Sequence, residues 1–309
     1  LTDGSGSAGD SFATNFGQRA FAYTAPSGFK ALCTTNLPDP TIADGSTAMD
    51  VDTYSGDGTN GRAITGINHS PDLVWIKARN QTDGHNLFDI VRGTTKVLKS
   101  NNNNAELTES NSLTAFNSDG FTVGSNASNA QVNQSGFTYV GWAWDAGSST
   151  VSNSDGSITS NVRASQTNGF SIITYTGNGT AGATIGHGLN AAPSFYICKF
   201  RNTNSSNGPW YVYHGSLGAT KALNLGTTSA AITSNNFWNS TEPTNTVFSV
   251  GIAGDTNGSG RNFVAYCFAS VAGFSSFGTY TGNGSADGPM VFTGFRVRWL
   301  LLKSTAASY

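Results

Sequence analysis

Apolar residues in this chain come in short runs closed by turn residues. Leu73-Val74-Trp75-Ile76-Lys77, Phe195-Tyr196-Ile197-Cys198-Lys199 and Trp299-Leu300-Leu301-Leu302-Lys303 are each an apolar stretch ending in lysine. Runs of this length, rich in Val, Ile, Phe, Tyr and Trp and bounded by Gly, Asn, Asp and Ser, predict β-strands. Phe170-Ser171-Ile172-Ile173-Thr174-Tyr175 is another. It stops at Thr176-Gly177-Asn178-Gly179, where Gly or Asn can supply the positive φ of a hairpin-type turn. Asn117-Ser118-Asp119-Gly120 and Asn153-Ser154-Asp155-Gly156 repeat that chemistry. Where the period is two, the faces can be assigned. Val140, Trp142 and Trp144 share one side of a strand, with Gly141 and Ala143 on the other. Val264, Tyr266 and Phe268 do the same, with Ala265 opposite. No stretch carries a well-capped helical period, and Ala105 to Ala115 comes nearest to one. The expected fold is all-β, made of β-sandwich units of jelly-roll or lectin-like type, each about 100–125 residues long.

The pattern recurs. Thr53-Tyr54-Ser55-Gly56-Asp57-Gly58 returns as Thr174-Tyr175-Thr176-Gly177-Asn178-Gly179 and as Thr279-Tyr280-Thr281-Gly282-Asn283-Gly284. The lysine-closed runs follow each copy. Gly66-Ile67 corresponds to Gly188-Leu189 and Gly294-Phe295; Gly93-x-x-Lys96 corresponds to Gly218-x-x-Lys221. Phe121-Thr122-Val123-Gly124 matches Phe248-Ser249-Val250-Gly251, and Tyr139 to Trp144 matches Phe263 to Phe268. A solenoid turn repeats every ~20–50 residues, so this longer period belongs to whole units. The boundaries expected are a linker over 37–45, a first repeat over 46–147 and a second over 148–273. Residues 148–168 are either a linker or the first strand of that second repeat. A third repeat starts at 274 and is expected to be cut short at 309.

Only 11% of the residues are charged, against ~25% in an ordinary globular chain, and Gly, Ser, Thr and Asn take their place. The aromatic content of 11% argues for packed cores rather than disorder. The net charge is −2, and there is no basic run with interleaved aromatics, so nucleic acid is not an expected partner. No apolar stretch approaches the ~20 residues of a membrane-spanning helix, so membrane insertion is not expected. Cys33, Cys198 and Cys267 are odd in number and do not recur between repeats, which points to free thiols rather than a disulfide framework.

Candidate chemistry is sparse. His69, His85, His187 and His214 do not recur, and they are expected in loops or at the surface. The eighteen acids form no repeated pair of the kind glycoside hydrolysis needs. No catalytic residue, cofactor or metal is therefore expected, and the chain is not expected to be an enzyme. Asp255-Thr256-Asn257-Gly258-Ser259-Gly260 has the opening of a calcium loop but not the glutamate that completes one, and it is expected to be a plain turn. Gly93-x-x-Lys96 and Gly218-x-x-Lys221 lack P-loop spacing and are turns with a solvated lysine. Trp75 and Trp299 sit within apolar runs and are expected in the core. Trp210 and Trp238 sit among polar neighbours, so they are the candidate exposed platforms for stacking a ligand such as a sugar.

Two family resemblances add to this. Phe12-Ala13-Thr14-Asn15-Phe16-Gly17-Gln18-Arg19-Ala20-Phe21, followed by Pro26-Ser27-Gly28-Phe29-Lys30-Ala31-Leu32, resembles the closing strands of a SPRY domain, which implies that 1–36 is the remnant of such a β-sandwich. Arg19-Ala20 departs from the Arg-Pro of that pattern. From Asn36-Leu37-Pro38-Asp39-Pro40 onward the chain resembles the repeat region of tail-fibre-like structural proteins of marine bacteriophages. Ser70-Pro71-Asp72-Leu73-Val74-Trp75-Ile76-Lys77, Thr114 to Phe121, Gly186-His187-Gly188-Leu189-Asn190 and Tyr280 to Pro289 carry that likeness. It implies a place on the virion surface, outside the cell, with other virion proteins as neighbours and a homo-oligomer, commonly a trimer, as the assembly.

The expected function is a virion surface fibre or appendage, without enzymatic activity, that presents β-sandwich domains to a host-surface glycan or acts as a structural shaft. A bacterial surface adhesin or secreted carbohydrate-binding array would have the same composition. A polysaccharide depolymerase is the third class, and the lack of a shared acid pair stands against it.

Overall fold

The computed structural model describes residues 40–125, 128–202 and 208–306, besides the isolated positions 20, 24 and 27. Apart from positions 20, 24 and 27, the SPRY-like segment lies outside the described residues, as do Cys33 and residues 37–39 of the 37–45 linker.

Strands dominate. After a 3-10 turn at Gly45–Thr47 come β1 (Met49–Ser55), β2 (Arg62–Thr65), β3 (Leu73–Ala78), β4 (Asn86–Asp89), β5 (Lys96–Lys99), β6 (Leu107–Thr108), β7 (Leu113–Asn117), β8 (Gly120–Val123) and β9 (Thr138–Trp144). They form one large sheet in the order β1-β9-β3-β4-β5-β6 and one small sheet, β2-β8-β7. The next stretch holds β10 (Thr150–Asn153), β11 (Ser160–Ser165), β12 (Phe170–Thr176), β13 (Ala183–Gly186), β14 (Phe195–Phe200), β15 (Trp210–His214), β16 (Lys221–Asn224) and β17 (Ile232–Thr233). It continues through a one-turn helix α1 (Asn235–Trp238), β18 (Val247–Val250), a one-turn helix α2 (Gly254–Asn257) and β19 (Asn262–Phe268). Its large sheet runs β10-β11-β12-β19-β14-β15-β16-β17, and β13 pairs with β18 in a small one. With the β10–β11 hairpin set aside, the two large sheets have the same strand order. That hairpin is what residues 148–168 contribute.

Alternation along the strands distributes the side chains among three cores. In β3, Leu73 and Trp75 face one core while Val74, Ile76 and Ala78 face another. In β14, Phe195 and Ile197 face the same core as Leu73 and Trp75, while Tyr196, Cys198 and Phe200 face away from it. The side facing away is covered in the first half by the small sheet, through Ile64, Leu113, Phe121 and Val123. In the second half Ala183, Ile185, Phe248 and Val250 cover it, together with Phe237 and Trp238 of α1. The result is four layers: a small sheet, two large sheets face to face, and a second small sheet. Each large sheet is apolar on both faces, so it is covered on both. Thr41–Tyr309 is accordingly one compact unit.

The small residues opposite the tryptophans have a packing role. A Cβ on Gly141 would lie 3.1 Å from the Phe121 ring, so glycine there lets the small sheet close over β9. Ala105–Ala115 is not helical. Leu107 pairs with Val97 in β6, and Leu113 is buried under β8 opposite Val123. Ladder pairing and core burial outweigh a weak helical spacing there.

The repeated Tyr-x-Gly-x-Gly motif is held by an asparagine downstream of it. In the first half, Tyr54 Oη donates to Val132 O at 2.8 Å, Gly56 N to Phe137 O at 2.7 Å and Gly58 N to Asn133 O at 2.8 Å. The buried Asn133 side chain accepts from Asp57 N and donates to Thr59 O and Gly124 O. In the second half, Tyr175 Oη donates to Thr256 O at 2.6 Å, Gly177 N to Arg261 O and Gly179 N to Asn257 O. Asn257 accepts from Asn178 N and donates to Thr180 O and Gly251 O. Each asparagine thus satisfies buried backbone groups of a turn that has no ladder partners.

Candidate binding cleft

The seam between the two large sheets holds most of the buried charge. Asp89 and Arg92 pair with each other there, both fully buried. Arg92 also reaches Glu106 at 3.0 Å, and Arg201 holds Glu106 through two bonds of 2.9 and 3.0 Å. Tyr266 Oη donates to Asp89 Oδ2 at 2.7 Å. Burial alone would raise the Glu106 pKa, but the Arg201 hydrogen bonds and the Arg92 charge outweigh it and hold the carboxyl below its usual range. A second pair, Arg163 with Asp72 at 2.8 Å, also joins the halves. Burial dominates at Asp72 and pushes it up to about 6, despite the Arg163 and Ala146 N contacts. Lys199 is buried over the Trp210 ring and donates to Asn103 O and Gly208 O; burial lowers it to about 8. These groups are paired inside the molecule and not turned towards solvent, which makes them structural.

The expected platforms lie elsewhere than the surface. Trp210 is buried in the core between the large sheets, where its Nε1 donates to Lys99 O at 2.8 Å. Trp238, the last residue of α1, is buried in the core of the second half, and its Nε1 donates to Lys221 O at 3.1 Å. The expectation that these two indoles are exposed is overturned, and neither offers a face to a ligand. Their polar sequence neighbours are turn residues flanking an inward-pointing ring. Trp75 is in the shared core as expected, and Trp299 packs against it and against Trp144.

His69 and His187 lie in loops, as expected, but neither is exposed. His187 is fully buried, with Nε2 bonded to Thr244 O and Nδ1 accepting from Leu189 N. His69 is buried too, its Nδ1 on Ser46 O. Asp255 lies in α2, half-buried, and burial raises its carboxyl. Among the described residues no three His, Cys, Asp or Glu side chains converge to hold a metal. Cys198 and Cys267 are free and buried, and burial pushes the Cys198 thiol up to about 12.

An open cleft of about 360 Å³ lies at a loop end of the second half. Three loops form it: Ala192–Ser194 before β14, His214–Ser216 after β15, and Glu242–Pro243 before β18, with Phe277 of the C-terminal segment as the far wall. Phe277 stacks on Phe195 at 5.7 Å, which fixes its ring. Glu242 is fixed by Tyr213 Oη, which donates to Oε2, and by Ala219 N, which donates to Oε1 at 2.7 Å. Burial and the Glu242 carboxylate both hold the Tyr213 hydroxyl protonated. Burial lowers the His214 pKa, so its imidazole is neutral near pH 7; its Nδ1 accepts from Ser216 N. The site therefore offers a carboxylate, a neutral imidazole, serine hydroxyls and an aromatic wall.

Sequence reasoning did not single out this cleft. His214 occupies the place that Asp89 holds in the first half: β3–β4 pairs Leu73 with Asp89, and β14–β15 pairs Phe195 with His214. In the first half that position is sealed by Arg92. In the second half no arginine follows, and the position opens to solvent. The visible signal was this change from Asp-x-x-Arg to His-x-x-Leu at matched positions.

No curated protein and no solved structure matches the chain. Residues 44–309, which include both halves and the C-terminal segment, match the family described as Domain of unknown function (DUF7483), and the chain belongs to that family.

Proposed function

We propose that this protein is a non-enzymatic structural and attachment module of a virion surface fibre, and that the cleft of the second half takes a neutral host-surface glycan. The observation that carries the reading is the chemistry of the cleft. A fixed carboxylate accepts hydroxyl protons, serines and a neutral imidazole both donate and accept, and Phe277 offers an apolar wall for a sugar ring. The four-layer stack supports the structural half of the reading. Two large sheets locked through a shared core and buried ion pairs make a stiff unit, which suits a fibre. The likeness of the repeats to tail-fibre-like phage proteins supplies the virion context.

The test is binding of the purified chain to intact candidate host cells, with and without periodate oxidation of their glycans. Binding that periodate abolishes, and that Ser216→Trp abolishes by filling the cleft, is the expected result. Periodate-resistant binding would end the glycan reading, and no binding to a susceptible host would leave only the shaft. Release of reducing ends from host polysaccharide would replace attachment by enzymatic cleavage.

A further inference from the structure

Glu242 and the tyrosine that holds it occur in one half only. Counting back from the matched Phe121 and Phe248, the place of Glu242 in the first half is taken by Ala115. Tyr213 stands opposite Tyr196 of β14, and the residue in the same register of the first half, opposite Val74 of β3, is Phe88, which is buried and has no hydroxyl. The hydroxyl and the carboxylate are therefore present together in the second half and absent together from the first. The first half builds the same pair of sheets without them, so the architecture alone does not account for the pair.

The arrangement leaves Glu242 fixed but not neutralised. Tyr213 Oη donates to Oε2 and Ala219 N to Oε1. Both donors are uncharged, and among the described residues no cation forms an ion pair with this carboxylate. The residue is exposed and lines the cleft. A carboxylate has about four lone-pair sites, so each oxygen keeps one for a ligand after its bond to the protein. Two acceptor sites at a fixed spacing on one planar group match two hydroxyls on adjacent ring carbons, as a carboxylate matches the forked donors of an arginine. His214 adds a donor: its Nδ1 accepts from Ser216 N, so the neutral ring carries its proton on Nε2. Phe277, stacked on Phe195, supplies a flat apolar wall.

We propose that Glu242 is the specificity-determining residue of the cleft, accepting both hydroxyls of a vicinal diol on an uncharged sugar ring and turning acidic sugars away. A sugar carboxylate beside it would meet a like charge with no cation in between, which is costly at a binding surface. A ring whose hydroxyls are not on adjacent carbons would leave one acceptor site unfilled. This inference rests on the glycan reading of the cleft.

The experiment is affinity electrophoresis of the intact chain through gels that carry one soluble polysaccharide each. Dextran and mannan are neutral and rich in vicinal diols. Laminarin, a (1→3)-linked glucan, is neutral but has none along its chain. Alginate keeps a diol on each residue and adds a carboxylate. Retardation by dextran or mannan is expected, with laminarin and alginate at least ~10-fold weaker. Glu242→Gln should weaken the dextran or mannan interaction by at least ~10-fold and narrow the gap to alginate. The double variant Tyr213→Phe with Glu242→Ala copies the first half, leaves no stranded hydroxyl, and should fold and lose the interaction. If laminarin or alginate retards the parent chain as strongly as the diol-rich neutral polymers, or if the double variant is retarded like the parent, the role given to Glu242 is overturned while the glycan reading stands. Retardation by none of these polymers overturns the glycan reading, and this inference with it.

Discussion

Tyr266 donates its hydroxyl to the Asp89 carboxylate across 2.7 Å, from the central strand of one large sheet to the β4 end of the other. Asp89 is fully buried and also holds Arg92, which in turn holds Glu106 and, through it, Arg201. The two halves are therefore joined by a charged network as well as by apolar packing. Tyr266→Phe removes one hydrogen bond to a charged acceptor and should cost about 1.5–3 kcal/mol. Asp89→Ala leaves the Arg92 guanidinium without its principal partner and should cost about 3–5 kcal/mol. Urea unfolding should show a lower midpoint in both variants, with an unchanged slope if the halves still unfold together.

Asn133 and Asn257 should be equally sensitive. Each makes three backbone hydrogen bonds from a buried side chain, and alanine would strand those groups away from water. A loss of about 3 kcal/mol is expected for Asn133→Ala and for Asn257→Ala, at roughly 1 kcal/mol per bond. Hydrogen exchange should also quicken first at residues 56–59 in one variant and 177–180 in the other.

The motif glycines should separate by copy. Gly56→Ala and Gly177→Ala push a Cβ into a carbonyl oxygen, so the backbone must move; a loss above about 2 kcal/mol is expected for each. Gly282→Ala meets open space and should stay within about 0.5 kcal/mol of the parent. Thermal unfolding of the three single variants tests this in one series.

Asp72 gives a pH signature. Its folded pKa is raised to about 6 by burial, above its ordinary value of 3.8, so the folded state holds the proton more tightly than the unfolded chain does. The resulting stability is fully present below about pH 4 and is lost as pH rises through 6. Two pKa units correspond to about 2–3 kcal/mol. Glu106, whose pKa is lowered, works in the opposite sense at the acid end. The difference between parent and Asp72→Asn isolates the aspartate: the parent should lose stability relative to the variant between pH 4 and 6, and the two should run parallel above that. Parallel curves throughout would show that the Arg163 contact keeps Asp72 ionised.

What the sequence determined by itself is the local part. Periods of two in Tyr139–Trp144 and Phe263–Phe268 fixed which residues share a face, because pleating alone sets that alternation. The Tyr-x-Gly-x-Gly turns were legible from their recurring Gly and Asn, while the close approach at Gly56 and Gly177, which have carbonyls where a Cβ would go, came from the structure. The all-β class followed from those two signals. The tertiary structure decided which faces meet. Trp210 and Trp238 have polar neighbours in the chain, but their rings are buried, and the acceptors they reach, Lys99 O and Lys221 O, lie 111 and 17 residues away. Asn133 and Asn257 lock turns 76 to 79 residues upstream, a pairing that no local window contains. The cleft is assembled from three loops and one distant phenylalanine. Burial and long-range hydrogen bonding depend on how sheets stack, and the stacking is settled only when the whole chain has folded.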